Sequence, residues 1–311
     1  MPTDLIIDDV DRAARLIRAG GVVAMPTETV YGLAADATNE AAVQRIFALK
    51  GRPADHPLIV HLGSSADLPH WAIDLSPDAQ TLAAAAWPGP LTLVVRRAAG
   101  VLDVVTGGRN TVGLRVPAHP MARALIERSA TALAAPSANR FGAVSPTTAE
   151  HVRADLGDRL EPGRDAILDG GPSSVGVEST IVDCVSDPPQ VLRAGGVPTE
   201  DVERLLAHPL AAASGEPRAS GMLDSHYAPR CAVRLVDDLD DAVALLAGSP
   251  NSDILDLSDD LVVYARALYA RLRDADDRGV STLIAVLPPA VGLGHAIRDR
   301  LAKAAAPRPA N

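Results

Sequence analysis

The chain has 311 residues, 47% of them hydrophobic but only 3% aromatic, so it can bury a sizeable core and that core must be aliphatic. Its formal net charge is −10, with 20 basic and 27 acidic residues in 1–230 and 9 and 12 in 231–311; neither part is a basic body able to hold a nucleic-acid backbone nonspecifically. No apolar run reaches membrane-spanning length, no signal-peptide pattern opens the chain, and Cys184 and Cys231 lie far apart without metal spacing, so a reduced, cytoplasmic protein is expected.

Residues 8–19 (DDVDRAARLIRA) predict an amphipathic helix, acidic at its start and stopped by Gly20-Gly21. VVAM at 22–25 predicts a buried strand. Thr27, Glu28, Thr29 and Tyr31 follow Pro26 at once, and polar groups at the end of a buried strand are what a ligand site in an open α/β sheet looks like. Asn39 then caps a helix whose apolar positions Ala42, Val43, Ile46 and Phe47 recur at helical spacing. It runs out at Lys50-Gly51-Arg52-Pro53, so two cations project from a fixed corner. The next strand, PLIVHL, carries His61 in an apolar run.

Ser76 caps a helix with Pro77 in its first turn, ended by Pro88-Gly89-Pro90. LTLVV and TVGLRV read as strands, HPMARALIERS as a helix, and ATALAAPSAN as a buried strand breaking into a polar loop. A short helix, TTAEHVRADLG, precedes strands AILD, STIVDC and QVLRA, and the helix PTEDVERLL closes this first domain at residue 207. Residues 208–230 read as a linker, rich in small residues and proline and without periodicity. From 231 to 311, strands AVRLV, DILDL and STLIAVLP alternate with helices near 238–247, 259–277 and the C-terminus; a small, Rossmann-like three-layer α/β domain with a parallel sheet is expected. The tail PRPAN is expected to fray.

No GxxxxGK[ST] loop exists, and GLGH near 292 lacks the third glycine of a dinucleotide fingerprint; any ATP must bind without a P-loop. Lys50 is one of only two lysines, the other being Lys303. A mobile ammonium suits a phosphate or carboxylate, but it equally complements the negative end of its own helix. Ser137 and Asn139, in APSANRFG, lack the GxSxG elbow of a nucleophile; a ligand contact stands ahead of that role, with a plain turn as the bland alternative. Arg115, among apolar strand residues, either faces solvent or offers a bidentate contact to a carboxylate. His56 and His61 are poorly spaced for a shared metal, and one imidazole making a hydrogen bond is the simpler expectation.

These blocks together, PTETVYGL, KGRP followed by HPLIVHL, APSAN, VLRAGG and the linker motif SGMLDSHYAP, resemble the YrdC-like family of L-threonylcarbamoyladenylate synthases in its two-domain form. The resemblance covers most of the chain. It implies a twisted mixed α/β sheet around a concave, locally positive cavity, and a reaction joining L-threonine, bicarbonate and ATP to threonylcarbamoyl-AMP, pyrophosphate and water. It implies magnesium carried with ATP, no organic cofactor, and a downstream tRNA-modifying transferase complex as partner, with no membrane and no stable nucleic-acid binding. By its pattern Thr29, His61, Arg115 and Ser179 form the threonine pocket; Lys50, Arg52, His56, Thr111, Ser137, Asn139, Ser145, Arg193 and Tyr227 contact ATP, with Lys50 and Arg52 also offsetting charge in catalysis. His226 is a further lid candidate. Two departures stand out: His56 replaces the usual asparagine, and Ser220 replaces a linker proline. Two other classes compete: a carbamoyl-transfer enzyme with another acceptor, whose relatives carry cysteine clusters and an acylphosphatase segment missing here, and an RNA-binding module, against which the acidic balance tells.

Overall fold

The computed structural model describes residues 5–212 and 227–307; Ser220, His226 and all but Pro307 of the PRPAN tail lie outside the described residues. Most of the chain up to residue 212 builds one mixed sheet of eleven strands, and residues 232–286 contribute a second sheet of three. Across the large sheet the order is Ile6–Ile7, Ala166–Leu168, Val23–Met25, Gly32–Asp36, Leu133–Ala134, Ile59–His61, Thr111–Arg115, Leu91–Arg96, Thr180–Asp183, Gln190–Arg193 and Ala211–Ala212.

Alternation of side chains sends successive residues of each strand to opposite faces. Val22, Ala24, Leu33 and Ala35 bury one face under the helices Glu40–Lys50 and Ala149–Leu156, while Val23, Met25 and Ala34 meet the helices Val10–Arg18 and Pro120–Ser129 on the other. Each valine, leucine or methionine side chain fully removed from water in these layers contributes about 1.5–3 kcal/mol, an alanine less. The helix starts follow their capping residues: Asn39 accepts from Ala42 N, Ser76 from Ala79 N and Thr148 from His151 N. Gly51 ends the helix at φ +65°, a left-handed conformation that suits glycine.

Gly32–Asp36 is a strand that pattern reading misses. It runs antiparallel to Val23–Met25 on one side and to Leu133–Ala134 on the other, so the polar stretch Thr27–Tyr31 becomes the turn of a hairpin. The small sheet is wholly parallel, ordered Ala232–Val236, Thr282–Val286, Ser252–Leu255. Leu283 and Ala285 face the helices Leu261–Asp277 and Leu293–Ala305, whereas Ile284 and Val286 face Leu239–Ala247, giving the three layers expected. Among the described residues no helix is long and apolar enough to cross a membrane.

Candidate functional site

His61 and Arg115 end two neighbouring parallel strands and are partners in register, which sets their side chains side by side at the carboxyl edge of the sheet. The hairpin turn after Met25 and the loop after Ala134 close over the same edge, with Gly32 bridged to Ser137. Between them lies a cavity of about 50 Å³, whose walls include Thr27, Thr29, Arg52, His61, Arg115, Ser137, Glu178, Ser179, Arg193 and Tyr227.

Arg115 is buried and fully organised. Its Nε donates to Gly89 O at 3.1 Å, Nη1 donates to Thr29 Oγ1 at 2.9 Å, and Nη2 lies 2.7 Å from Glu28 Oε1. A guanidinium has five N–H donors, so one on each terminal nitrogen remains for a further acceptor. Burial works to raise the Glu28 carboxyl, but the charge and hydrogen bonding of Arg115, together with nearby backbone N–H groups, outweigh it and hold Glu28 below its ordinary value. Thr29 Oγ1 is held in turn at 2.8 Å from Thr27 Oγ1. Beside this group His61 is neutral: burial, reinforced by Arg115, lowers it to about 3, and its Nδ1 is buried without a hydrogen-bond partner.

On the opposite wall Ser179 Oγ pairs with Thr92 Oγ1 at 2.8 Å, and Arg193 Nη2 donates to Ser179 O at 2.9 Å and Oγ at 3.1 Å. Burial also pulls Arg193 below the usual arginine value. Arg52 donates to Pro57 O at 3.1 Å, and its guanidinium lies over the Phe141 ring, 5.9 Å from the centroid. Its pKa is lowered to about 10, mainly by burial.

Thr29, Arg52, His61, Arg115, Ser137, Ser179, Arg193 and Tyr227 thus converge on one cavity. The remaining candidates sit around it. Lys50 is buried, and Nζ donates to Ser137 O at 2.6 Å and Asn139 O at 2.5 Å, so its ammonium pins the polar loop. Burial, with repulsion from Arg52 added, holds it well below its ordinary value. Asn139 Nδ2 donates to Arg140 O at 2.9 Å and Ala143 O at 2.8 Å, tightening the same loop. Ser145 has no exposed surface, and its hydroxyl donates to Glu178 Oε1 at 2.6 Å. His56 packs edge-on against Phe141 at 5.5 Å. Thr111 begins the strand that Arg115 ends, about 13 Å away along an extended chain.

Glu28 and Glu178 are the site residues that motif reading underrated. Both sit beside expected contacts, Glu28 within PTETVYGL and Glu178 next to Ser179, and an acid inside an apolar or glycine-rich run was the available signal. A larger cleft, about 1020 Å³, adjoins the Arg140–Val144 loop on its outer side, between the large-sheet unit and Arg230, Arg273 and Asp276. Its charged groups are largely paired, as in Arg273 with Asp155 at 2.7 Å, and the convergent, unsatisfied groups are those of the smaller cavity.

Known proteins align with nearly the whole length of the chain. The model of a family described as telomere recombination, spanning Sua5, YciO and YrdC, matches residues 15–195, and one described as threonylcarbamoyl-AMP synthase, C-terminal domain, matches residues 197–306. A protein of Pyrococcus abyssi named threonylcarbamoyl-AMP synthase is 42% identical over 318 residues, covering 94% of this chain and 92% of its own. One of the same name from Bacillus subtilis is 38% identical over 328 residues, covering 96% and 93%. The crystal structure of P. abyssi Sua5 complexed with L-threonine superposes with a TM-score of 0.88 at 40% identity, covering 95% of this chain and 94% of that one.

Proposed function

The chain belongs to the Sua5/YrdC family, its relatives along nearly the whole length being enzymes named threonylcarbamoyl-AMP synthase, and from that premise we propose that it joins L-threonine, bicarbonate and ATP into threonylcarbamoyl-AMP, pyrophosphate and water. In this reading residues 1–207 are the catalytic domain, 208–230 a linker and 231–311 an accessory domain. The setting is cytoplasmic, and the product passes to a transferase complex that modifies adenosine in tRNA.

One observation carries the reading: a buried arginine with two N–H groups to spare, beside a neutral imidazole with an unpartnered nitrogen. The substrate carboxylate takes the free fork of Arg115 in a bidentate, charge-assisted contact. Thr29, Ser179 and His61 supply the hydroxyls and imidazole that recognise the rest of threonine. Its amine attacks the carbon of bicarbonate with loss of water, and the carbamate oxygen then attacks the α-phosphorus, expelling pyrophosphate. Carbamates are labile, so a small enclosed cavity that holds the reactants together is worth more than a strong base.

Arg52 and Arg193 face the same space and offset charge building on the phosphates. Lys50, by clamping Ser137 and Asn139, fixes their loop and keeps its third N–H for an approaching phosphate. Magnesium enters as part of MgATP, because Glu178 in the cavity wall and Glu28 beside Arg115 are both engaged by arginines. At about 50 Å³ the cavity lies far below the roughly 300–1,000 Å³ of ordinary ligand pockets, so the nucleotide must displace part of the wall, and Tyr227 is a wall residue that the linker itself supplies.

The test is pyrophosphate release from ATP with threonine and bicarbonate each omitted in turn and Lys50→Ala as control. Release that needs both and collapses in the variant supports the synthase and its anion loop. Turnover of ATP without threonine overturns the substrate assignment and favours carbamoyl transfer to another acceptor.

A further inference from the structure

The small-sheet unit does more than sit beside the cavity. Its helix Leu261–Asp277 presents Arg266, Tyr269 and Arg273 along one face, and each reaches across to the large-sheet unit. Arg266 Nε donates to Ser174 O at 2.9 Å, and Arg273 Nε approaches Ser145 O at 3.5 Å. Packing there is tight: a Cβ on Gly176 would stand 2.4 Å from Ala265 O, at a backbone φ of +84°. The connection to the cavity runs through Glu178. Tyr269 OH donates to Glu178 Oε2 at 2.8 Å, and Arg300 Nε, from the last helix, donates to the same oxygen at 3.0 Å. Arg300 Nη1 also donates to Ala194 O at 2.7 Å, next to Arg193, and its guanidinium lies 5.4 Å from the centroid of the Tyr227 ring.

Arg300 has no exposed surface. A buried arginine between units is costly unless its geometry is used, and here it fixes two backbone segments that carry cavity residues. Gly195 lets those segments meet, since a Cβ there would be 2.4 Å from both Glu178 O and Thr180 N. Ser179 therefore has its backbone position set from both sides, by Arg193 within the large-sheet unit and by Glu178 held from the small one.

We infer that Tyr269 and Arg300 are positioning residues for the substrate cavity: they hold Glu178 and thereby place Ser179, Arg193 and Tyr227, so the C-terminal unit is an integral part of the active site. This rests on the synthase reading for what the cavity binds, but the positioning itself is independent of that reading. Because Ser145 donates its only hydroxyl proton to Glu178, its place in this chain is also to support Glu178.

Tyr269→Phe removes one hydroxyl and Arg300→Met one guanidinium, and neither residue lines the cavity. Both are compared with the full-length wild type by ligand-free amide hydrogen exchange and by steady-state pyrophosphate release with L-threonine, bicarbonate and MgATP. The expected result is faster exchange over residues 177–180 and 193–196 and a KM for threonine raised at least fivefold, with kcat changed less than twofold. Where Arg300→Met does not fold, Tyr269→Phe carries the test alone. Folded variants with wild-type exchange and an unchanged KM overturn the inference, as does loss of active protein at constant KM, the mark of a merely structural contact. Should the wild type itself release no pyrophosphate, the synthase reading falls, and the exchange data alone decide the positioning role.

Discussion

Two buried carboxylate–arginine pairs each lend one member to the cavity wall, Arg115 of the first and Glu178 of the second, and they are built differently. Glu28 meets Arg115 at 2.7 Å, yet neither carboxylate oxygen finds a well-aligned donor, and Arg115 keeps N–H groups in hand. Glu178 takes three donors, from Ser145, Tyr269 and Arg300, drawn from both structural units. Burial would raise Glu178, but Arg300 and Arg193, with the hydroxyl donors, bring it down to about 2. The difference separates two uses of the same chemistry. An incompletely satisfied pair is ready for a ligand, whereas a saturated one holds elements together.

The contrast can be broken by substitution. Arg115→Met should remove the carboxylate contact, and at about 1.5–3 kcal/mol per charged hydrogen bond a bidentate loss lowers kcat/KM of the folded variant for threonine by at least roughly 100-fold, read by pyrophosphate release. Glu178→Ala leaves Arg300 buried without its partner, and about 3–5 kcal/mol of stability should be lost in urea unfolding, well beyond the effect of Glu28→Gln.

Acid titration sharpens the same contrast. Glu178 is about 2 when folded and near 4.3 when unfolded, so between these values the unfolded chain binds more protons. Its stabilising contribution is complete above about pH 4.3 and is lost as pH falls towards 2, a dependence that Glu178→Gln should flatten. The His61 imidazole, at about 3, should show no titration by nitrogen-detected NMR between pH 5 and 8. At the small end, Arg204→Ala breaks the exposed pair with Asp201 and should move stability by no more than about 0.5 kcal/mol.

Helices were the most legible part of the sequence, because capping is local: Asn39, Ser76 and Thr148 each mark a start that the backbone follows. The parallel small sheet was readable from alternating elements. Gly32–Asp36 was not, since glycine and alanine carry little strand preference and the strand is made by its neighbours on both sides. The site divides in the same way. Ser137 follows a strand as its motif implies, whereas His61 and Arg115, which the sequence sets within apolar runs, stand at the ends of their strands, and motifs do not say which way a side chain turns. Lys50 turns to the carbonyls of Ser137 and Asn139, in a loop distant in sequence, and Ser145 to Glu178. Arg300 offered one faint signal, a charge within the apolar stripe Ile297, Leu301 and Ala304, and its partner lies 122 residues away.

The most direct test of the threonine pocket is calorimetric binding of L-threonine to the wild type and to Arg115→Met, with circular dichroism to verify that both are folded. Binding by the wild type that vanishes in the variant is the expected result. Equal binding by both would contradict the assignment of Arg115 as the carboxylate receptor and, with it, the placement of threonine at the ends of these two strands.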